Sequence, residues 1–283
     1  MKKSVLVLEG GAMRSLFTSG VLDVLMDNNI DIDCTVGVSA GALVGSNYIS
    51  NQKGRTAKIN INYCNDNKYI GVGAIKNNKG LVGFDYLFGG EIAKYNPFDE
   101  KEFLNSKKRF VTGITNCITG KTEYYDKSPE NTYKLLQASS SMPLVSKVVE
   151  INGKPYLDGA IDCNVPIDWA LEQGYERIVV VLTRNKDYRK KSVSNKMRKM
   201  YKLVYKKYPN LLKTMYDRPD KYNQTYDKIE KLEKENKIFV FRPENNVDIS
   251  RLERDQDKLK ALYEEGKNET ENRLSDLEKY LNS

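Results

Sequence analysis

The sequence predicts an α/β fold with a mostly parallel central sheet and helices on both of its faces. Three observations lead there. Short β-branched apolar runs recur, at Lys3–Leu8, Cys34–Val38 and Arg177–Leu182, and the first two each run through a glycine-bearing turn into a helical pattern. The chain has 283 residues, 40% of them hydrophobic, enough for one large domain and an appendage. Beyond Thr183 the apolar strands give way to long charged stretches, so a domain over 4–183 and a mainly helical, basic extension over 184–283 are expected.

In chain order, Lys3–Leu8 runs into Glu9-Gly-Gly-Ala-Met-Arg14-Ser15. Leu16–Asn28 then carries an amphipathic pattern with Leu16, Val21, Val24 and Leu25 on one face. Met1-Lys2-Lys3 ahead of the strand faintly resembles a secretory signal. Its apolar part is short, Glu9 interrupts it and no small-residue cleavage site follows, which favours the first strand of a cytoplasmic protein. No apolar run approaches the roughly 18 residues of a membrane span. Adjacent N–H groups at Gly10 and Gly11 can cradle an oxyanion or a phosphate, although glycines that serve only tight packing explain the turn equally well. No Gly-Lys-Ser/Thr follows, and Ala12 and Ser15 break the dinucleotide pattern.

The second strand leads into Gly37-Val-Ser39-Ala-Gly41, and Ala40–Tyr48 reads as a helix. Strand, sharp turn and helix around G-x-S-x-G fit a nucleophile elbow, which lifts the Ser39 hydroxyl clear of the strand end, and equally a glycine-rich βα turn with an incidental serine. The glycines are expected to supply φ values that a Cβ would oppose. The helix N-terminus would favour a developing anion. Gly54–Asn67 is polar and helical. Lys68–Gly90 has no clear pattern, and its Tyr69, Phe84, Tyr86 and Phe88 suit either an apolar channel or ordinary packing. Arg109–Thr115 and Thr122–Asp126 form a hairpin around Gly120-Lys121, and Asn131–Ser141 is a helix ended by Pro143. Lys147–Ile151 and Pro155–Leu157 flank the turn Asn152-Gly153, with Asp158-Gly159-Ala160 directly after. Trp169–Gln173 is a short helix closed by Gly174. Asp220–Lys237 is charged and helical, Lys237–Phe241 is an edge strand, and Arg251–Leu281 is one long helix.

The composition excludes a good deal. There is no histidine, which removes the Ser-His-Asp triad, the Cys-His dyad and every His-based metal site. A nucleophilic Ser39 must therefore lose its proton to another group. Cys34, Cys64, Cys117 and Cys163 are far apart and form no C-x-x-C, as expected of reduced thiols. Nothing calls for a metal or cofactor.

Gly10-Gly-Ala-Met-Arg14, Gly37-Val-Ser39-Ala-Gly41 and Asp158-Gly159-Ala160, with Ala138-Ser-Ser-Ser-Met-Pro143 between them, together resemble the patatin-like phospholipase family over residues 4–183. The likeness is strongest to bacterial members with a helical C-terminal extension. It implies a three-layer α/β/α fold and a Ser–Asp dyad, with Ser39 as nucleophile and Asp158 as base. It also implies oxyanion donors at Gly10, Gly11 and Ala12, and makes Arg14 the basic residue ending the glycine-rich loop. The family has glycine where this chain has Ala12 and Ser15. From the residues alone, Asp158-Gly159 is also a common turn dipeptide, and Asp162 and Asp168 compete with Asp158 as the base.

The resemblance implies a lipid acyl hydrolase of the phospholipase A, lysophospholipase or carboxylesterase type, acting through an acyl-Ser39 intermediate. Acyl transfer to another acceptor would use the same residues. A different class is a lipid- or membrane-binding protein with weak or lost activity. That alternative rests on Ala12, Ser15, the net charge of +8 and the basic segment Lys186–Lys213, in which Met and Tyr alternate with lysines as at an anionic membrane surface. No nucleic-acid recognition motif accompanies the charge.

Overall fold

The computed structural model describes residues 3–78 and 80–283; the start at Met1-Lys2 lies outside them. Among the described residues eight strands form one sheet: β1 (Ser4–Leu8), β2 (Cys34–Val38), β3 (Arg109–Asn116), β4 (Thr122–Asp126), β5 (Val149–Ile151), β6 (Lys154–Asp158), β7 (Arg177–Val181) and β8 (Phe239–Phe241). Their order is β5-β6-β3-β2-β1-β7-β8, with β4 also paired to β3. From β3 through β8 the neighbours are parallel. The hairpin strands β4, β5 and β6 add antiparallel pairings at one side. Every residue of β1 and β2 is buried, as parallel strands covered on both faces require.

Among the described residues twelve α-helices surround the sheet: α1 (Ser15–Asp27), α2 (Ala40–Ile49), α3 (Arg55–Asn62), α4 (Val72–Asn78), α5 (Phe84–Phe88), α6 (Glu91–Tyr95), α7 (Glu100–Asn105), α8 (Thr132–Ser139), α9 (Ile167–Glu172), α10 (Asn195–Tyr205), α11 (Pro209–Lys234) and α12 (Gln256–Asn282). The two-residue period of the strands sorts the core into two layers. Leu6, Leu8, Val179 and Val181 face a cluster built with residues of α1, α2 and α12. Val5, Val7, Ile178 and Val180 face the other side, against Trp169 of α9 and Tyr222, Tyr226 and Ile229 of α11. The expected three-layer α/β/α arrangement, mostly parallel, is the observed one.

The extension is helical as expected, and it is built into the sheet. β8 continues the parallel register beside β7, with Val180 opposite Val240. α12 lies against α1 at a crossing that only glycine permits: a Cβ on Gly20 would sit 2.2 Å from the Tyr263 carbonyl oxygen, and one on Gly266 would sit 2.1 Å from that of Phe17. α11 starts at Pro209, well before the expected Asp220. Pro219, a residue type that ends most helices, lies inside it.

Candidate active site

The sheet register brings the elbow and the third motif together. Val38 pairs with Gly113, and the next residue of β3, Ile114, pairs with Asp158. Ser39 and Asp158 therefore leave β2 and β6 at one level on either side of β3. The Ser39 hydroxyl donates to Asp158 Oδ2 at 2.9 Å, and both residues are buried. Asp158 is held from several directions. Its Oδ1 accepts the Ala160 N–H (2.8 Å), its N–H donates to the Ser141 carbonyl (2.9 Å), and its own carbonyl accepts from Thr115 Oγ1 (2.8 Å). The competing carboxylates are engaged elsewhere. Asp162 accepts the Thr122 N–H and pairs with Lys221, and Asp168 pairs with Lys228.

The elbow differs from expectation in where its strain lies. Ser39 itself takes φ 54°, ψ −131°, while neither Gly37 nor Gly41 has positive φ. These glycines answer a lack of space. A Cβ on Gly37 would lie 2.8 Å from Ala42 N, and one on Gly41 would lie 2.6 Å from the Leu8 carbonyl oxygen. A strained serine at a strand-to-helix turn persists only when its surroundings fix it. Here the Ser39 N–H donates to Ser139 Oγ (2.8 Å), and that hydroxyl donates to the Gly113 carbonyl (2.7 Å). Ser139, in the serine run before Pro143, is a contributor that spacing alone does not reveal.

The Gly10–Ala12 loop lies against the elbow, since a Cβ on Gly10 would meet that of Ser39 at 2.9 Å. Gly10 is not a free donor: its N–H is committed to the Asn164 carbonyl at 3.1 Å. The N–H groups of Gly11 and Ala12 have no acceptor among the described residues. Ala12, where a glycine was expected from the family resemblance, adopts φ 50°. Ser15 turns its hydroxyl to the Ala12 carbonyl (2.8 Å). Arg14 lies at the start of α1, reaches the Ile249 carbonyl at 3.4 Å, and is lowered to about 10 by burial and then by the nearby Arg184.

Burial pushes the Asp158 carboxyl above its usual range, against the pull of the Arg218 guanidinium and the bonds from Ala160 and Ser39. A carboxylate with a raised pKa is a stronger base toward a hydroxyl.

Two cavities meet at the dyad, sharing Ala12, Ser39 and Met142. One is an apolar channel of about 730 Å³ lined by residues such as Leu43, Val44, Ile59, Leu87 and Phe88. Of the four aromatic residues left open above, Tyr69 and Phe88 line it. The other is a polar cleft of about 1420 Å³. Its wall includes Lys190, Met197 and Tyr201, and also Arg218 and Arg251 from the C-terminal region. Arg218 and Arg251 escape a sequence search because one precedes a proline in a charged stretch and the other sits in a segment with no motif.

The patatin-like phospholipase family matches residues 6–171, and a domain of unknown function (DUF6363) matches residues 208–282. The uncharacterized protein YjjU of Escherichia coli (strain K12) is 30% identical over 183 residues, which is 63% of this chain and 51% of YjjU. The chain thus spans about half the length of that relative. The crystal structure of VipD from Legionella pneumophila aligns at 11% identity with a TM-score of 0.45, over 98% of this chain and 67% of VipD.

Proposed function

Because this chain belongs to the patatin-like phospholipase family, we propose that it is a serine acyl hydrolase of lipid or other carboxylic esters. The observation that carries the reading is the 2.9 Å contact from the Ser39 hydroxyl to Asp158 at the junction of an apolar and a polar cavity. The acyl chain lies in the apolar channel and the alcohol half in the polar cleft. As Ser39 Oγ attacks the ester carbonyl, Asp158 takes the hydroxyl proton and the tetrahedral oxyanion is held by the Gly11 and Ala12 N–H groups. Collapse expels the alcohol, which recovers that proton. Water, deprotonated by Asp158, then cleaves acyl-Ser39 and releases the fatty acid. An acceptor alcohol replacing water would give acyl transfer by the same residues. Residues 4–183 carry the nucleophile, the base and the loop, and 184–283 complete the leaving-group wall.

A fluorophosphonate probe tests this. Wild type should be labelled and Ser39→Ala should not, with carboxylic esters competing. Labelling that persists in Ser39→Ala would refute the assignment.

A membrane contact is a second part of the reading. Met197, Tyr201 and Tyr205 line the inner side of α10, while Leu203 (79% exposed), Val204 and Met200 point outward among Lys196, Lys199 and Lys202. Among the described residues no helix is long and apolar enough to cross a membrane. We place the enzyme in the cytoplasm, at its membrane face, a location compatible with four free cysteines.

A further inference from the structure

The polar cleft has a charge imbalance that hydrolysis of an uncharged ester does not require. Arg14, Arg184, Lys190, Arg218 and Arg251 line it, against two carboxylates, Glu9 and Asp158. Glu9 is fully engaged. It accepts from Asn164 Nδ2 (2.7 Å), the Thr183 N–H (2.5 Å) and hydroxyl (3.0 Å), and the hydroxyls of Tyr222 (2.9 Å) and Tyr226 (3.0 Å). None of the five cations has an ion-pair partner among the described residues. Elsewhere Arg109, Arg189, Lys221, Arg242 and Arg273 each meet a carboxylate. Arg14 Nε and Arg218 Nε are buried with no hydrogen-bond partner among the described residues.

These like charges oppose one another. Lys190, with Nζ 3.5 Å from the Tyr222 ring centroid, is driven well below the ordinary lysine range by burial and then by Arg218. Arg218 is lowered by burial and then by Arg251. Arg14, Arg184, Lys190 and Arg218 are half-buried, with Arg251 exposed at the rim; holding unpaired cations partly out of water is costly unless an anion completes the set. Planar guanidinium donors fit phosphate oxygens two at a time, and a cleft of one sign concentrates the matching substrate. A choline or ethanolamine headgroup would bring its ammonium into the same cations.

We propose that this cleft binds a phosphate dianion on the alcohol half of the acyl substrate, so that the preferred ester is an anionic phospholipid with a terminal phosphate. The inference rests on the acyl-hydrolase reading above. It gives the C-terminal region a role in specificity, because Arg218 and Arg251 lie within residues 208–282.

The test compares phosphatidic acid with phosphatidylcholine of identical acyl chains in neutral mixed micelles, for wild type, Arg251→Gln and Lys190→Gln. The readout is the ratio of the two kcat/KM values. Wild type should favour phosphatidic acid at least about tenfold, and each substitution should cut that ratio about tenfold, the loss of one charge-assisted contact. Equal turnover of the two lipids, or a preference that survives both substitutions, overturns the proposal. Fluorophosphonate labelling and hydrolysis of neutral p-nitrophenyl butyrate report the dyad separately. Absence of both defeats the hydrolase reading, whereas their presence without lipid discrimination defeats only the phosphate site. Competition against labelling separates the sources of phosphate. Glycerol 3-phosphate protecting Ser39 better than inorganic phosphate supports a headgroup. Equal protection assigns the site to free phosphate and overturns the substrate assignment, and protection by neither overturns the anion site.

Discussion

Ser39, the proposed nucleophile, holds a backbone conformation that side chains rarely adopt. Glycine reaches that conformation without the Cβ penalty, at an entropic cost in the unfolded chain. Ser39→Gly and Ser39→Ala both remove the hydroxyl, yet the glycine variant should be the more stable by about 1 kcal/mol in chemical denaturation. Equal stabilities would mean that the turn is unstrained. Asp158→Asn keeps an acceptor for the Ala160 N–H, so the fold should survive while turnover falls about 10³-fold. Its stability should show the sign of the raised carboxyl pKa. Between the ordinary carboxylate range and the folded value, the unfolded chain has released a proton that the native state retains. Wild-type stability therefore falls as pH rises through that window, and the deficit is complete above the folded pKa. Asp158→Asn should accordingly match or exceed wild type in Tm at neutral pH and show no such fall. In the rate profile, Arg218→Gln removes a charge that lowers the Asp158 pKa and should move the acidic limb of kcat/KM to higher pH. The turn at Ser39 was legible because G-x-S-x-G sat between a strand and a helix. Asp158 needed two further motifs, since an Asp-Gly pair by itself describes any turn. The engagement of the Gly10 N–H with Asn164 depends on a contact 154 residues away and leaves no local trace.

The elements follow periodicity where periodicity exists. β1, β2 and β7 are apolar runs, and the turn Asn152-Gly153 takes the two positive φ values (50° and 73°) that its residues favour. α11 begins at Pro209 rather than the expected Asp220 and holds Pro219 inside it, and the crossing of α1 with α12, which rests on two glycines in separate helices, leaves no periodic signal. Glycine inside a helix ordinarily weakens it, so only the partner helix explains Gly20 and Gly266. Gly266→Ala raises intrinsic helix propensity yet places a methyl against the Phe17 carbonyl. It should lower stability by about 2–3 kcal/mol in urea denaturation. A variant as stable as wild type would mean that the helices separate easily.

At the scale of the molecule, a change in composition beyond Thr183 suggested a domain and an extension, whereas the packing of residues 184–283 into the same sheet and core left no such trace. β8 pairs along β7, and α12 supplies Leu259, Leu262 and Leu277 to the core layer shared with β1. A chain ending after Thr183 would expose the β7 edge and part of that layer. It should be insoluble or unfolded by circular dichroism and should not label with a fluorophosphonate. A folded, labelled fragment would show that residues 4–183 stand alone.

Glu9 has a consequence for recombination. One carboxylate receives hydroxyls from two tyrosines a single helical turn apart in α11, while its backbone opens the loop beside Ser39. The two halves of the chain are therefore matched parts. A chimera that joins the first 183 residues to another relative's C-terminal half inherits a buried carboxylate, and it can be grafted only with a donor helix that presents hydroxyls at both of those positions.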